Sequence, residues 1–207
     1  MARERSLRES IMGIPLVYHL FQNGIRKPSS DVMLAREIIG CKEGMTILDI
    51  GCGVARIRKA LGNVDYVGID HNERYIARAK REFKNCGRFF VADVREVSDL
   101  VKSRFDRVLL IGVLHHLDDT SSRELIKQAR QLLNPGGILV SYDPTFVPRQ
   151  NLISYMISRL DRGRFVRTPE GYEQLLTDEF ESRVVLVRND LLRLPSSTVI
   201  ISARPIT

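Results

Sequence analysis

The ten residues ILDIGCGVAR at positions 47–56 restrict this chain more than any other stretch. An apolar run over residues 45–50 stops at two glycines, Gly51 and Gly53, and a helix-competent segment follows over residues 54–62. The pattern predicts a buried strand, a tight turn and a helix. Glycine permits the sharp turn and leaves no side chain between the backbone and a ligand. Asp49 lies inside the apolar run, two residues before the turn. A carboxylate buried there needs partners, and the turn amides or a ligand amine are the available ones.

The following residues repeat the unit. Strand-like runs at residues 66–70, 88–92, 105–111 and 138–142 alternate with helical patterns at 73–84, 94–101 and 121–133, the last stopped by Asn134-Pro-Gly-Gly137. Such alternation predicts parallel pairing through right-handed crossovers, and the apolar strands fit burial on both faces. Before this core, residues 4–23 suit a helix interrupted near Gly13 and Pro15. A second helix over residues 32–39 is predicted with Asp31 as its cap and Gly40 as its end. After the core come an amphipathic segment (151–160), a basic turn (161–167) and a helix started by Thr168 and Pro169. Two strand-like runs, 183–187 and 198–202, suit a hairpin at the sheet edge. The expected architecture is a single α/β domain: an N-terminal helical cover (1–43), a core (44–145), a helical substrate cover (146–180) and a C-terminal hairpin (181–207).

The glycine turn alone admits several nucleotide-like ligands. A dinucleotide fold calls for G-x-G-x-x-G, and the third glycine position is Arg56. Asp70 ends the second strand about twenty residues after Gly51, where an acid accepts hydrogen bonds from a ribose. Capping of the next helix is its alternative role. Asp93 follows the third strand, where an acid can take an adenine amino proton while Val94 packs on the ring; it too could be a cap. Three acids in register after three successive strands point to one ligand.

With LDIGCGVAR (48–56), GID (68–70), VADV (91–94), FDRVLLIGVLHHLDD (105–119) and LLNPGGILVSYDP (132–144), the chain resembles the class I S-adenosylmethionine-dependent methyltransferases over residues 44–145. One departure is Ala55, where family members often carry glycine; a slightly tighter turn is expected. The resemblance implies a Rossmann-like, doubly wound, mostly parallel seven-stranded sheet and S-adenosylmethionine as cofactor, with S-adenosylhomocysteine as product. It implies that Asp49, Gly51, Cys52 and Gly53 hold the methionine moiety, with Ile111 and Gly112 beside it. Asp70, with His71 next to it, takes the ribose, and Asp93 and Val94 frame the adenine. Tyr18 looks like an aromatic lid on the cofactor, with core packing as its alternative.

His115, His116 and Asp143 lie just beyond strand ends, where open α/β sheets place their ligands, and are the candidate catalytic residues. Histidine suits general-base work near neutral pH. Methyl transfer is an in-line displacement that positioning can accelerate, so a base is needed only for a protonated nucleophile. Residues 151–167 could close over the site, with Arg159, Arg162, Arg164 and Arg167 meeting an acidic or phosphorylated acceptor; a solvated helix and turn is the alternative.

Composition narrows the function classes. The net charge of +7 is spread along the chain, and no aromatic RNP-like string or zinc knuckle accompanies it. The Asn/Asp-Pro-Pro-Tyr/Phe string of enzymes that methylate exocyclic base amines is missing after the fourth strand. A nucleic-acid acceptor is therefore disfavoured against a small molecule. A cofactor-binding protein without catalysis stays as the other alternative. No apolar run approaches the roughly 20 residues that span a bilayer, although peripheral membrane contact is compatible with the charge. Cys41, Cys52 and Cys86 have no metal-ligand spacing and read as reduced thiols of a cytoplasmic protein.

Overall fold

The computed structural model describes residues 27–160 and 163–206. The expected helix over residues 4–23 with its Tyr18, and Arg162, lie outside the described residues. Seven strands form one sheet in the order β3-β2-β1-β4-β5-β7-β6. β1 (Thr46–Ile50), β2 (Asp65–Asp70), β3 (Arg88–Val91), β4 (Phe105–Ile111) and β5 (Leu133–Pro144) pair in parallel. β6 (Phe180–Arg188) and β7 (Thr198–Pro205) form the expected antiparallel hairpin, and β7 also pairs with β5. The chain fills the sheet outward from β1 in one direction and from β4 in the other. The crevice between their carboxyl ends is where such sheets take ligands.

Strand periodicity sends alternate side chains to opposite faces, and each face carries its own apolar layer. On one face Leu48, Ile50, Val108 and Leu110 pack with Leu125, Ile126 and Ala129 of α4 (Asp119–Gln131) and with Tyr172, Leu175 and Leu176 of α6 (Pro169–Leu176). On the other, Ile47, Tyr66 and Leu109 pack with Leu34 and Ala35, just after α1 (Pro28–Met33), and with Ile76 and Ala79 of α2 (Glu73–Phe83). Moving each such leucine or isoleucine out of water contributes roughly 1.5–3 kcal/mol. The doubly wound sheet follows from this two-sided burial. Two smaller helices complete the set, α3 (Val97–Leu100) and α5 (Leu152–Leu160).

Local chemistry moves several expected boundaries. α1 starts at Pro28 with Lys27 at its cap position, so Asp31 sits in the first turn and is no cap. Its carboxylate is taken by Arg56 instead, Nε to Oδ2 2.8 Å. The helix continues as a π-helical turn, Leu34–Ile38, and Gly40 ends it at φ +63°. The expected helix over 54–62 is a short 3-10 turn, Arg56–Ala60. Asn134-Pro-Gly-Gly137 is not a boundary: β5 begins at Leu133 and carries these residues as an irregularity, its register on β4 shifting between Phe105 and Arg107. Thr168 caps α6 with Pro169 in its first turn, as expected.

Candidate functional site: the cavity at the sheet crevice

A cavity of about 730 Å³ opens at the carboxyl ends of β1, β2 and β4. Asp49, Gly51, Cys52, Gly53, Asp70, His71, Asp93, Val94, Ile111, Gly112 and His116 all line it. His115 and Asp143 stand behind its wall, and Tyr18 falls outside the described residues.

The turn is built by backbone constraint. Gly51 has φ +74°, and a Cβ there would lie 2.6 Å from Cγ2 of Val113, so this position excludes any side chain. The Gly51 and Cys52 amides both donate to the Ile69 carbonyl, at 2.7 and 2.9 Å, and the Gly53 amide donates to Asp70 Oδ2 at 2.8 Å. Ala55 adopts a left-handed conformation, φ 55° and ψ 41°, and is fully buried. The glycine-to-alanine departure therefore adds strain of about 1–2 kcal/mol, where only a tighter turn was expected.

The turn amides are spent on β2, so they are not the partners of Asp49. The Tyr66 hydroxyl donates to Asp49 Oδ2 at 2.5 Å. Burial and the Asp49 charge push the Tyr66 phenol well up, which keeps its proton in place. Parallel pairing sets Gly68 opposite Asp49, and Tyr66 is the same-face neighbour two residues earlier. That register was the signal the sequence offered for this contact. Gly68 also makes room for Cys52, since a Cβ there would meet Cys52 Sγ at 2.9 Å. Burial, and then the charges of Asp49 and Asp70, raise the Cys52 thiol, so it fills space as a neutral group.

Asp70 is buried, and its Oδ1 accepts the Asn72 amide at 2.8 Å. It does not cap α2: Asn72 does, accepting from the Arg74 and Tyr75 amides. An ionised carboxylate offers about four acceptor positions, so Asp70 retains capacity toward the cavity. Asp93 is a cap. Its side chain accepts from the Arg95 amide in a capping box with Glu96, and the Arg95 guanidinium bonds both of its oxygens, Nε at 2.8 Å and Nη2 at 3.0 Å. These bonds hold the Asp93 carboxyl at about 2. Among the cavity-wall residues that sequence reasoning did not assign to the site are two arginines: Arg95, and Arg56, whose bond to Asp31 ties α1 to the glycine turn.

On the far side, the turn Leu114–His116 follows β4. Asp143 is fully buried at the end of β5, and its Oδ1 meets the His115 amide at 3.2 Å and His115 Nδ1 at 2.7 Å. Burial raises the Asp143 carboxyl, and the His115 bonds partly offset that. Gly163 lies directly over the His115 ring, where a side chain would not fit, and the Phe165 amide donates to the His115 carbonyl at 3.0 Å. His115 is thus enclosed, while His116, its ring centroid 4.0 Å away, is exposed to the cavity.

Arg167 is committed within the chain. Its guanidinium donates to the carbonyls of Leu114, Leu117 and Phe165 and to Asp119 Oδ1, the last at 2.6 Å. The turn after β4 exposes carbonyls with no ladder partner, and the planar fork of arginine satisfies them together. Among the described residues no group of three or more His, Cys, Asp and Glu is placed to hold a metal ion.

Residues 47–137 match a family described as a methyltransferase domain. Among curated proteins, the cyclopropane mycolic acid synthase MmaA2 of Mycobacterium tuberculosis is 28% identical over 130 residues, 59% of this chain and 44% of that protein. The ubiquinone biosynthesis O-methyltransferase of Azorhizobium caulinodans is 30% identical over 103 residues, 47% of this chain and 40% of that protein. The chain thus spans less than half the length of these curated relatives. Among solved structures, the N-methyltransferase NodS of Bradyrhizobium japonicum in complex with S-adenosyl-L-homocysteine superposes with a TM-score of 0.71 at 19% identity, covering 97% of both chains. A TehB-like methyltransferase of Corynebacterium glutamicum superposes at 0.67 and 19% identity, over 96% of this chain and 98% of that one. At such identities the superpositions establish the fold. Residues 47–137 thus match a methyltransferase domain, and the chain has the fold of these solved methyltransferases.

Proposed function

We propose that the protein transfers a methyl group from S-adenosylmethionine to a small-molecule acceptor at an oxygen, nitrogen or carbon atom. The observation that carries this reading is one cavity shared by the glycine turn, Asp70 and His116. The residues fit the cofactor. No atom lies within 4 Å of where a Gly53 side chain would start, so the backbone can approach a ligand closely. Asp70 is locked by two amides and would receive the ribose hydroxyls, while Asp49, held by Tyr66, would meet the amino-acid end. Val94 would pack on the adenine, and an amino contact at Asp93 would be shared with Arg95. When bound, S-adenosylmethionine supplies a methyl carbon made electrophilic by its sulfonium.

The chain's own contribution is to orient and to exclude water. His116 faces the cavity and would accept a proton from an acceptor that carries one. His115 and Asp143, enclosed behind it, act as positioning residues: their bond fixes the turn that carries His116. The acceptor would be acidic or phosphorylated. Support for this is the +7 charge, without Arg167, whose donors are committed elsewhere. A reducing, cytoplasmic setting is supported by the free thiols of Cys41, Cys52 and Cys86.

Calorimetric titration with S-adenosylmethionine, S-adenosylhomocysteine and NAD tests the cofactor; heat with NAD alone would overturn the reading. Incubation with metabolite extract, following which mass gains one methyl unit, tests the activity. Asp70→Ala should weaken S-adenosylhomocysteine binding by about 1–3 kcal/mol, roughly 5- to 150-fold in Kd. An unchanged Kd in the folded variant would reduce Asp70 to a brace of the turn.

A further inference from the structure

Helix α5 is built inside out. Among its described side chains the buried ones are serines: Ser154 is 2% exposed and Ser158 is 3% exposed. Its outward arc is apolar, with Leu152 73%, Ile153 58%, Tyr155 44% and Met156 44% exposed. At about 100° per residue Tyr155, Leu152, Met156 and Ile153 follow one another around one side of the helix, with Arg159 among them. Phe165, 38% exposed, adds a fifth large apolar side chain from the segment that follows.

The inner face cannot account for this pattern by core packing. Ser154 Oγ accepts from Gln150 Nε2 at 2.8 Å and from the Ser197 amide at 2.9 Å, which seats the helix on the loop before β7. Ser158 Oγ and Ser196 Oγ are buried without a hydrogen-bond partner among the described residues. A soluble surface helix ordinarily reverses this arrangement, with serines outside and leucine, isoleucine and methionine inside. Contiguous large apolar side chains on an outer surface mark a place where something else docks.

Charge selects what docks. Apart from Arg167, which is bound to its own chain's carbonyls, residues 145–168 hold four arginines, Arg149, Arg159, Arg162 and Arg164, against the single acid Asp161. Arg149, three residues before the helix, and Arg159, within the arc, are both exposed. A second copy meeting this face with its own would bring like charges together, which disfavours self-association. A membrane surface rich in anionic lipid complements both features, since apolar side chains enter the acyl boundary and arginines lie at the phosphates. We infer that α5 is an interfacial helix through which the protein binds the surface of an anionic lipid bilayer. The inference is independent of the methyl-transfer reading, because it concerns the outer face of α5 and requires no cofactor.

The test is co-sedimentation of the full chain with vesicles of phosphatidylcholine alone and of phosphatidylcholine with about one third phosphatidylglycerol. Binding is expected to the anionic vesicles, at least about tenfold stronger than to neutral ones, and weakened at roughly 0.5 M salt. The paired substitution Leu152→Ser and Met156→Ser should lower vesicle binding at least about tenfold while circular dichroism and thermal unfolding stay as in the parent, since both side chains already face outward. Arg149→Glu with Arg159→Glu should remove the preference for anionic lipid. Absence of binding to anionic vesicles would overturn the inference. So would unchanged binding of the Leu152/Met156 variant, or a concentration-dependent dimer that this same variant abolishes.

Discussion

The two sides of the cavity are held by different kinds of contact. On the cofactor side, Tyr66 reaches Asp49 and Asp70 reaches Gly53, each across two neighbouring strands joined by one crossover. On the acceptor side, the turn after β4 is held by Asp143 at the end of β5 and by Arg167 from beyond α5. The first side is a local unit that closes on itself. The second is assembled from three separated stretches and has a roof, Gly163 over His115. A local unit can be shared by proteins with different substrates, whereas an assembled one can differ with each. On the proposed function, the glycine turn would hold the methyl donor while the residues after β4 would meet the acceptor.

Substitutions in the two regions should expose this contrast. The largest effect is expected at Gly51→Ala, which combines a left-handed backbone with a Cβ driven into Val113. Destabilisation of about 3 kcal/mol should follow, read by chemical denaturation. Gly53→Ala, whose Cβ meets nothing, should cost only about 1 kcal/mol. Equal costs at the two glycines would mean that the turn yields where Val113 presses on it.

Arg167→Ala should cost about 1.5–3 kcal/mol, the range for hydrogen bonds to a charged group, because the carbonyls of Leu114 and Leu117 each lose a charged donor and keep only the Leu117 amide and the Ser122 hydroxyl. Its signature should be selective: methyl-acceptor turnover falls while the affinity for S-adenosylhomocysteine stays within about twofold, since no Arg167 atom lines the cavity. Comparable loss of cofactor affinity would break the division into two sides.

Ala55→Gly should stabilise by up to about 1 kcal/mol, the left-handed strain released less the entropy of glycine, and thermal unfolding would show it. A loss of stability would show that the buried methyl outweighs the strain.

The smallest effect concerns acid. Asp93 is held at about 2 in the folded chain against 3.8 for the free side chain. A depressed folded pKa contributes stability that is present above the unfolded value and is lost as pH falls through the folded one. Asp93→Asn should therefore flatten the decline in unfolding midpoint from about pH 4 to pH 2. An unaltered slope would show that the Arg95 contact contributes nothing, as exposed pairs often do.

The strand runs, the parallel alternation and the terminal hairpin were legible because period-two and period-3.6 patterns are local. Element ends were less so. The segment 54–62 read as helix, yet Ala55 is forced into a left-handed turn and only a 3-10 segment follows, a tertiary demand that propensity does not register. Asp31 looked like a cap because it precedes an apolar run, but Arg56, distant in sequence, bonds it in the fold. By sequence Asp93 suits a cap or a ligand contact, and the bonds it makes are those of a cap.

By itself the sequence determined the α/β class, the glycine turn and several residues that line the cavity, among them Asp49 and Asp70, because glycine and buried acids have few roles after a strand. Only the tertiary structure decided that Tyr66 holds Asp49, that His115 is enclosed while His116 faces the cavity, and that Arg167 is bound to carbonyls of its own chain. It alone showed that α5 turns serines inward and leucine outward. Those outcomes depend on which surfaces meet when distant segments pack, and side-chain partners across such contacts leave no periodic trace in the chain.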